Sequence, residues 1–391
     1  MSGPGAPSRF FRVRIGVPTR TAAVVLALVV ALVATSDALA ARSVPKGFFG
    51  VNWDQEVSYR SSPSTRWAQW GNMAASGVES ARVQFWWRDA QPKKSGPTNY
   101  SATDAFVALA ADHGIELLPV VIGAPRWARS NDKPFAPPHR GAYAKYLVKL
   151  VERYGANGKF WKKYPNIPKH PIRALQIWNE PSLQYQWSVP KGKDWAPGYG
   201  KLLCKSYSAV KSADKHVRVV IAGLPNASSN DLDHLYAKGH VHGCFDIGAT
   251  HPYTAHKGGV LTLVKRYRAV MKKHGDGGRK LWVTELGLPA SKGQTSDTSP
   301  LQTDDAGMAQ FLTDSYNDLM NHRRKLRLDH VFFYTWASVY KGWIFKWTGL
   351  FRYRRDHKVD LFDQKPAYQS YVDLAQSAEG CTKTTTGACA R

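Results

Sequence analysis

The chain has 391 residues, of which 43% are apolar and 12% aromatic, and its 54 Lys and Arg against 29 Asp and Glu give a formal charge of +25. The apolar content and the 14 tryptophans exclude a disordered chain and allow one large domain or two ordinary ones. A nucleic-acid-binding protein is disfavoured, because the basic residues are spread along the chain and no nucleic-acid-binding motif accompanies them.

The first 40 residues have the pattern of a secretory signal peptide. Residues 1–20 are polar and carry four arginines, the apolar run TAAVVLALVVALVA follows, and TSDALA precedes Ala41. This order fits cleavage of the Ala-x-Ala type after Ala40. An uncleaved anchor is the alternative, but a run of about 14 apolar residues is short of the ~20 that span a bilayer. We therefore expect a secreted, extracellular, monomeric protein with no transmembrane span in its mature form.

Removal of residues 1–40 lowers the formal charge to +22, because that segment holds four arginines and Asp37. A charge of this size attracts anionic surfaces, and salt screens the attraction. Two interpretations stay open. The charge serves an acidic partner, such as a polymer of the cell envelope, or it serves solubility alone.

Eight short apolar segments alternate with helical patterns along the rest of the chain. They begin at residues 48, 81, 116, 174, 218, 245, 281 and 330 and read FFGVNW, ARVQFWW, ELLPVVIG, ALQIWN, RVVIAG, FDIGATH, LWVTEL and HVFFYTW. This alternation predicts an α/β fold, a single (β/α)8 TIM barrel with extended strand-end loops over residues 41–378. A doubly wound open sheet is the alternative, but GVNWDQE after the first strand lacks its glycine-rich phosphate turn.

The four cysteines fall into two groups: Cys204 and Cys244 lie in the body of the chain, and Cys381 and Cys389 lie in a tail at residues 379–391. An oxidising compartment permits disulfides, and four cysteines allow three connectivities. We favour pairing each cysteine with its nearer partner, with free buried thiols as the alternative. None of the four has the close spacing of a zinc site.

Carboxylates follow two of the predicted strands at the point where each apolar run ends. Glu180 follows ALQIWN on the fourth strand, and Glu285 ends LWVTE on the seventh. In (β/α)8 enzymes the catalytic groups stand at the carboxyl ends of the strands, so both side chains should face one central pocket. Two carboxyl groups in one pocket suit cleavage of a glycosidic bond. A structural ion pair is the alternative for either residue alone.

The motifs IWNEP on the fourth strand and VTELG on the seventh resemble those of the clan A retaining glycoside hydrolases. GAPRWA and QKPAYQSYVDLA are most similar to family 39 and to family 5-like members. The resemblance implies that Glu180 is the general acid/base, that Glu285 is the nucleophile and that Asn179 binds the sugar 2-hydroxyl. Family 5 usually has a histidine at the end of strand three, where this chain has Gly123 and Trp127, so the likeness favours family 39.

The same resemblance assigns further substrate-binding residues. Arg82 matches the arginine that keeps the nucleophile ionised, with a surface or core ion pair as the alternative. His251 and Tyr253 match groups that flank the two carboxylates, with a structural role as the alternative for the histidine. Trp336 matches the aromatic platform under the sugar, with a core tryptophan as the alternative, and Trp127 lies in the loop after strand three. Six aromatic residues lie in or beside strand-end loops: Trp86, Trp87, Trp127, Tyr185, Trp187 and Trp195. Each either stacks on a sugar ring or packs its loop onto the barrel.

These patterns predict a secreted retaining glycoside hydrolase that cleaves a polysaccharide or oligosaccharide by double displacement, with an acidic envelope polysaccharide as one candidate substrate. We expect no metal or cofactor, because the chain lacks the HExxH, EF-hand, Walker and dinucleotide motifs. Two alternatives belong to other classes. One is a catalytically silent barrel that binds carbohydrate or envelope, and the other is a basic nucleic-acid- or envelope-binding protein.

Overall fold

A closed ring of parallel strands forms the centre of the structure, a computed structural model that describes residues 41–380 apart from the side chains of residues 55 and 56. The ring is built from β1 (Phe49–Trp53), β2 (Ser80–Trp86), β3 (Glu116–Ile122), β4 (Ala174–Ile177), β5 (Arg218–Val220), β6 (Leu224–Pro225), β7 (Ile247–His251), β8 (Lys280–Leu286) and β9 (Leu328–Phe333). β1 pairs with both β2 and β9, and β7 pairs with both β5 and β6, which closes the ring.

β5 and β6 together make one interrupted barrel strand. Val220 of β5 pairs with Ile247, and Leu224 of β6 pairs with Thr250 of the same neighbouring strand. The barrel therefore has eight strand positions in the order that the alternating pattern predicts, and the expected (β/α)8 fold is confirmed. The strands read as nearly continuous apolar runs because the barrel interior covers one face and the helices cover the other.

Helices follow the strands on the outside of the ring. They are α1 (Gln55–Arg60), α2 (Pro63–Ala75), α3 (Trp87–Ala90), α4 (Ser101–Asp112), α5 (Arg140–Tyr154), α6 (Lys159–Lys163), α7 (Ala196–Ala213), α8 (Ser228–Gly239), α9 (Gly259–Lys273), α10 (Asp305–Leu326) and α11 (Pro366–Glu379). Within residues 41–380, none of these helices has the length and apolar character needed to cross a bilayer.

A second, small sheet follows the last barrel strand. It consists of β10 (Ala337–Ser338), β11 (Phe351–Asp356) and β12 (Val359–Gln364), and a 3-10 turn at Ile344–Trp347 lies between its first two strands. The predicted eighth strand runs to Trp336, but β9 ends at Phe333. Residues 334–336 therefore leave the regular strand geometry, which changes where their side chains point.

A disulfide joins Cys204 of α7 to Cys244, which precedes β7, across 40 residues of chain. The expected pairing of these two cysteines is confirmed. Closing a loop of this length stabilises a fold by about 4 kcal/mol through the entropy of the unfolded chain. The predicted signal peptide at residues 1–40 and the predicted pair of Cys381 and Cys389 lie outside the described residues.

Candidate active site

The carboxyl end of β4 turns sharply and delivers Glu180 to the mouth of the barrel. Trp178 and Glu180 both adopt left-handed backbone conformations, with φ of 68° and 40°. Such conformations cost ~1 kcal/mol or more for residues other than glycine, and they concentrate at functional sites. The backbone N–H of Glu180 donates to Gly223 O at 3.1 Å, which holds the turn against the fifth barrel strand.

Glu180 and Glu285 face each other at close range. A carboxylate oxygen of each lies within 4.8 Å of the other, and His251 Nδ1 belongs to the same cluster. Both carboxyl groups are buried. Retaining glycosidases place their two carboxyl groups ~5 to 5.5 Å apart, whereas inverting enzymes need ~6.5 to 9.5 Å to admit a water molecule. An oxygen-to-oxygen approach within 4.8 Å is shorter than the separation that inverting enzymes need and falls on the retaining side of this difference.

Glu285 is held as a carboxylate by two donors. Arg82 Nη1 donates to its Oε1 at 2.7 Å, and the Tyr253 hydroxyl donates to its Oε2 at 2.7 Å. Burial alone would raise the pKa of Glu285, but the charges of His251 and Arg82 and the hydrogen bonds from Tyr253 and Arg82 outweigh it. The net pKa of Glu285 is lowered. The pKa of the Tyr253 phenol is raised well above its usual value by burial and by the nearby carboxylates, so it remains a donor.

The pKa of Glu180 is shifted in the opposite direction, upwards. Burial raises its pKa and the negative charge of Glu285 raises it further, while the hydrogen bond with His251 lowers it only in part. His251 Nδ1 lies 2.8 Å from Glu180 Oε1, and its Nε2 lies 3.0 Å from Thr284 Oγ1, so both ring nitrogens are oriented. A Cβ atom on Gly223 would lie 1.9 Å from His251 Nε2, and this close approach requires glycine.

Arg82 is the centre of a buried polar network that joins side chains from four barrel strands, β1, β2, β4 and β8. Besides Glu285, its guanidinium donates through Nη1 to Asn52 Oδ1 at 2.8 Å, through Nη2 to Asn179 Oδ1 at 2.6 Å and through Nε to Gln176 Oε1 at 2.7 Å. A planar guanidinium with several partners has little freedom to move, so it aligns Glu285 and Asn179 relative to each other.

Sequence reasoning missed three members of this network: Asn52, Gln176 and Thr284. Asn52 Nδ2 donates to Thr284 O at 3.1 Å, and Gln176 Nε2 donates to Ile221 O at 3.2 Å. Each is a polar residue inside an otherwise apolar barrel strand. Buried polar groups require partners, and this interruption of the apolar run was the available signal.

The two glutamates line a pocket of about 230 Å³ at the carboxyl ends of the strands, together with Asn179 and Tyr253. Tyr185 and Trp343, which are 58% and 56% exposed, also line it. Burial and the charges of both glutamates raise the pKa of Tyr185 to about 12. Exposed aromatic side chains beside two carboxylates are suited to stacking on a sugar ring.

Of the eight predicted site residues, four do not line this pocket. Arg82 and His251 are buried in contact with Glu285 and Glu180, and Trp336 and Trp127 make their hydrogen bonds elsewhere. Trp336 is fully buried, and its Nε1 donates to Gln69 Oε1 at 2.9 Å. Trp127 is partly buried, and its Nε1 donates to Gln91 O at 3.0 Å. Tyr334, two residues before Trp336, lines the pocket instead. The cause is the early end of β9, which turns Trp336 towards the small sheet.

A wider cleft of about 660 Å³ adjoins the catalytic pocket, and the two share Asp54 and Gln84. Arg66 and Arg88 line this cleft, and the Arg88 guanidinium lies 4.2 Å from the centre of the Trp86 ring. Of the other predicted loop aromatics, Trp87 and Trp187 are fully buried and Trp195 packs against Tyr199. Among the predicted loop aromatics, which all lie within residues 41–380, only Trp86 lines the cleft and only Tyr185 lines the pocket.

The same three side chains that form the carboxylate cluster, Glu180, His251 and Glu285, are close enough to hold a metal ion. Arg82 argues against that use, because its guanidinium already occupies Glu285 Oε1 and its positive charge repels a cation. The arrangement fits proton transfer and nucleophilic attack by the carboxylates themselves.

No family profile and no curated protein sequence matches this chain. Its fold matches a family 39 glycoside hydrolase from Bacteroides cellulosilyticus WH2 with a TM-score of 0.61 at 20% identity, over 87% of this chain and 65% of that one. It also matches a monomeric beta-xylosidase from Caulobacter crescentus CB15, with a TM-score of 0.60 at 16% identity over 85% and 69% of the two chains.

An endo-beta-1,4-mannanase from Thermotoga petrophila matches with a TM-score of 0.53 at 14% identity, over 87% of this chain and 78% of that one. At these identities the comparisons show a shared fold. The chain therefore shares the (β/α)8 fold of these proteins, one of which is a family 39 glycoside hydrolase, and this is the fold that the sequence predicts.

Proposed function

We propose that this protein is a retaining glycoside hydrolase in which Glu285 is the nucleophile and Glu180 is the general acid/base. The observation that carries the proposal is the pair of buried carboxyl groups within 4.8 Å of each other whose pKa values are shifted in opposite directions. A carboxylate poised to attack and a carboxylic acid poised to donate a proton are the two groups that double displacement requires.

In the first step the Glu285 carboxylate attacks the anomeric carbon while Glu180 gives its proton to the departing glycosidic oxygen. The bond to the leaving group breaks and a glycosyl ester of Glu285 forms. Tyr253 and Arg82 hold the attacking carboxylate on two different oxygens, which limits its rotation. Because Asn179 Oδ1 accepts from Arg82, its amide Nδ2 is left to donate to the sugar 2-hydroxyl.

In the second step Glu180, now a carboxylate, takes a proton from water, and the water oxygen attacks the anomeric carbon. The ester bond to Glu285 breaks and the product leaves with its original configuration. His251 stays bonded to Glu180 through Nδ1 and to Thr284 through Nε2, so it can stabilise the negative charge that Glu180 acquires between the two steps.

The substrate class we propose is an acidic polysaccharide, and the site of action is outside the cell. The formal charge of residues 41–391, which is +22, supports an acidic substrate. The cleft that adjoins the catalytic pocket is itself lined by two arginines, Arg66 and Arg88, and by two aspartates, Asp54 and Asp89. A cleft of this size next to the pocket suits a polymer. The signal-like pattern of residues 1–40 and the Cys204–Cys244 disulfide support export into an oxidising compartment.

The proposal is tested by incubating the purified protein with a panel of acidic and neutral polysaccharides, sizing the products and following the first anomer formed by NMR. We expect hydrolysis of an acidic polymer with net retention. An inverted first product would overturn the double-displacement mechanism. Binding of a polysaccharide without hydrolysis by a correctly folded protein would instead identify a catalytically silent barrel.

A further inference from the structure

A second pocket lies at the opposite end of the barrel from the two glutamates. It has a volume of about 270 Å³, compared with about 230 Å³ for the catalytic pocket. Its lining includes Glu116 and Arg218, which are the first residues of β3 and β5. Because all the barrel strands are parallel, these first residues mark the amino-terminal mouth of the barrel. We call this cavity the lower pocket.

The lower pocket is strongly basic. Lys46, Lys169, Arg173 and Arg218 line it, against the single carboxylate of Glu116. Several cationic side chains around one cavity repel each other when the cavity is empty, so an arrangement of this kind gains stability when an anion enters.

Two buried ring nitrogens in the lining lack a hydrogen-bond partner among residues 41–380. They are Trp282 Nε1 and His330 Nδ1, and both side chains are buried. Burying a polar group without a partner costs free energy, so such atoms are uncommon in folded proteins. An indole N–H can only donate, and it therefore requires an acceptor.

The two rings belong to one preformed unit. Trp282 in β8 and His330 in β9 are paired across the sheet, and their ring centres are 4.1 Å apart. The Arg218 guanidinium lies over the Trp282 ring at 5.4 Å from its centre, and His330 Nε2 lies 3.6 Å from Glu116 Oε2. Barrel strands, rather than loops, therefore position the Trp282 N–H, the His330 imidazole and the Arg218 guanidinium.

We propose that the lower pocket is a second binding site, which takes a small oxyanion such as a carboxylate or phosphate group. The oxygen atoms of the ligand accept from Trp282 Nε1 and from the Arg218 guanidinium, and the surrounding lysines and Arg173 neutralise its charge. The site is separate from the catalytic pocket, and the proposal does not depend on the glycosidase activity.

Isothermal titration calorimetry of the purified protein in low-salt, phosphate-free buffer tests the proposal with three probes: inorganic phosphate, D-glucuronate and uncharged D-glucose. We expect saturable binding of at least one of the two anions, with one ligand per chain, and none of glucose. Tighter phosphate binding would identify a phosphate site, and tighter glucuronate binding would identify a carboxylate site. Failure of both anions to saturate, or equal binding of glucose, would overturn the proposal.

Variants locate the binding. Arg218→Gln should weaken anion binding at least tenfold, and Trp282→Phe, which removes the N–H but keeps an aromatic ring, should weaken it severalfold. Arg266→Gln on the exposed face of α9 makes the same change in net charge outside the pocket and should leave binding unchanged. Circular dichroism confirms folding of each variant. Undiminished binding in both pocket variants, or an equal loss in Arg266→Gln, would place the anion elsewhere and overturn the proposal.

Discussion

Arg82 Nη1 lies 2.7 Å from Glu285 Oε1, and both side chains are buried. This pairing explains how a carboxyl group can stay ionised after it has been removed from water. Burial favours its neutral form, and a fixed guanidinium at hydrogen-bond distance reverses that preference. Because Arg82 also donates to Asn179, it joins the proposed nucleophile to the residue beside the proposed acid.

The first prediction concerns this arginine. Arg82→Gln should lower kcat/KM by roughly 10²–10³-fold, the size of loss that follows removal of one positioned donor to a charged reacting group. The pKa of Glu285 should rise without the guanidinium, so the acidic limb of the kcat/KM profile should move to higher pH. Arg268→Gln is the matched control, since Arg268 is equally buried but bonds to backbone carbonyls such as Leu326 O. It should reduce stability without moving the acidic limb, and an equal shift in both variants would contradict the pairing argument.

The second prediction separates the two carboxylates. Glu285→Gln should abolish turnover by roughly 10⁴-fold or more on every substrate, because no covalent intermediate forms. Glu180→Gln should lose roughly 10²–10⁴-fold on natural substrates yet retain the first step with an activated aryl glycoside, whose leaving group needs little proton donation. Glu152→Gln, at an exposed position of α5, is the control and should behave as wild type. Full activity of Glu180→Gln on a poor leaving group would refute the assigned role.

The third prediction follows from the directions of the pKa shifts. Activity requires Glu285 ionised and Glu180 protonated, so kcat/KM should rise as the pH passes the lowered pKa of Glu285 and fall as it passes the raised pKa of Glu180. His251 lowers the pKa of both groups. His251→Gln should therefore move both limbs to higher pH, whereas the exposed His256→Gln should leave the profile in place. A shift to lower pH would show that His251 acts differently.

The fourth prediction concerns an aromatic side chain that the sequence motifs did not single out. Trp343 lines the catalytic pocket and is 56% exposed. Trp343→Ala should raise KM for the polysaccharide roughly tenfold, about 1.4 kcal/mol, with kcat little changed because the contact is made equally in the ground and transition states. Trp67 is also 56% exposed but packs against His113, away from the pocket. If Trp67→Ala has the same effect, the change in KM does not report stacking in the pocket.

The fifth prediction ties charge to substrate. For an acidic polymer, kcat/KM should fall as NaCl rises, because the Debye length shrinks from ~10 Å at 0.1 M to ~3 Å at 1 M, while kcat should change much less. Replacing Arg66 and Arg88 together by Gln should reduce this salt dependence. A matched neutral oligosaccharide should show a flat profile. A flat profile on the best soluble acidic substrate as well would rule out electrostatic recognition while leaving the two-carboxylate mechanism intact.

The sequence by itself determined the barrel and the strand ends that carry Glu180 and Glu285, and the resemblance of its motifs to those of clan A glycoside hydrolases implied the association of Arg82, Asn179, His251 and Tyr253 with them. The strands and the polar residues at their ends are local or periodic features. A buried parallel strand is a continuous apolar run, and a polar residue at its end stands out against that run. Parallel strands in a barrel bring their carboxyl ends to one face, so order along the chain implies proximity in space.

Only the tertiary structure decided which aromatic side chains face the pocket and how the buried polar groups are paired. Trp336 follows Tyr334 in the same short segment, yet only Tyr334 lines the pocket, because β9 ends at Phe333 and the chain leaves strand geometry there. Asn52, Gln176 and Thr284 lie on different strands. Arg82 donates to Asn52 and Gln176, and Asn52 donates to Thr284 O, so these bonds depend on strand register across the ring. Trp343 reaches the site from a loop beyond the last barrel strand. Loop paths and register are set by contacts between residues far apart in sequence, and no local pattern encodes them.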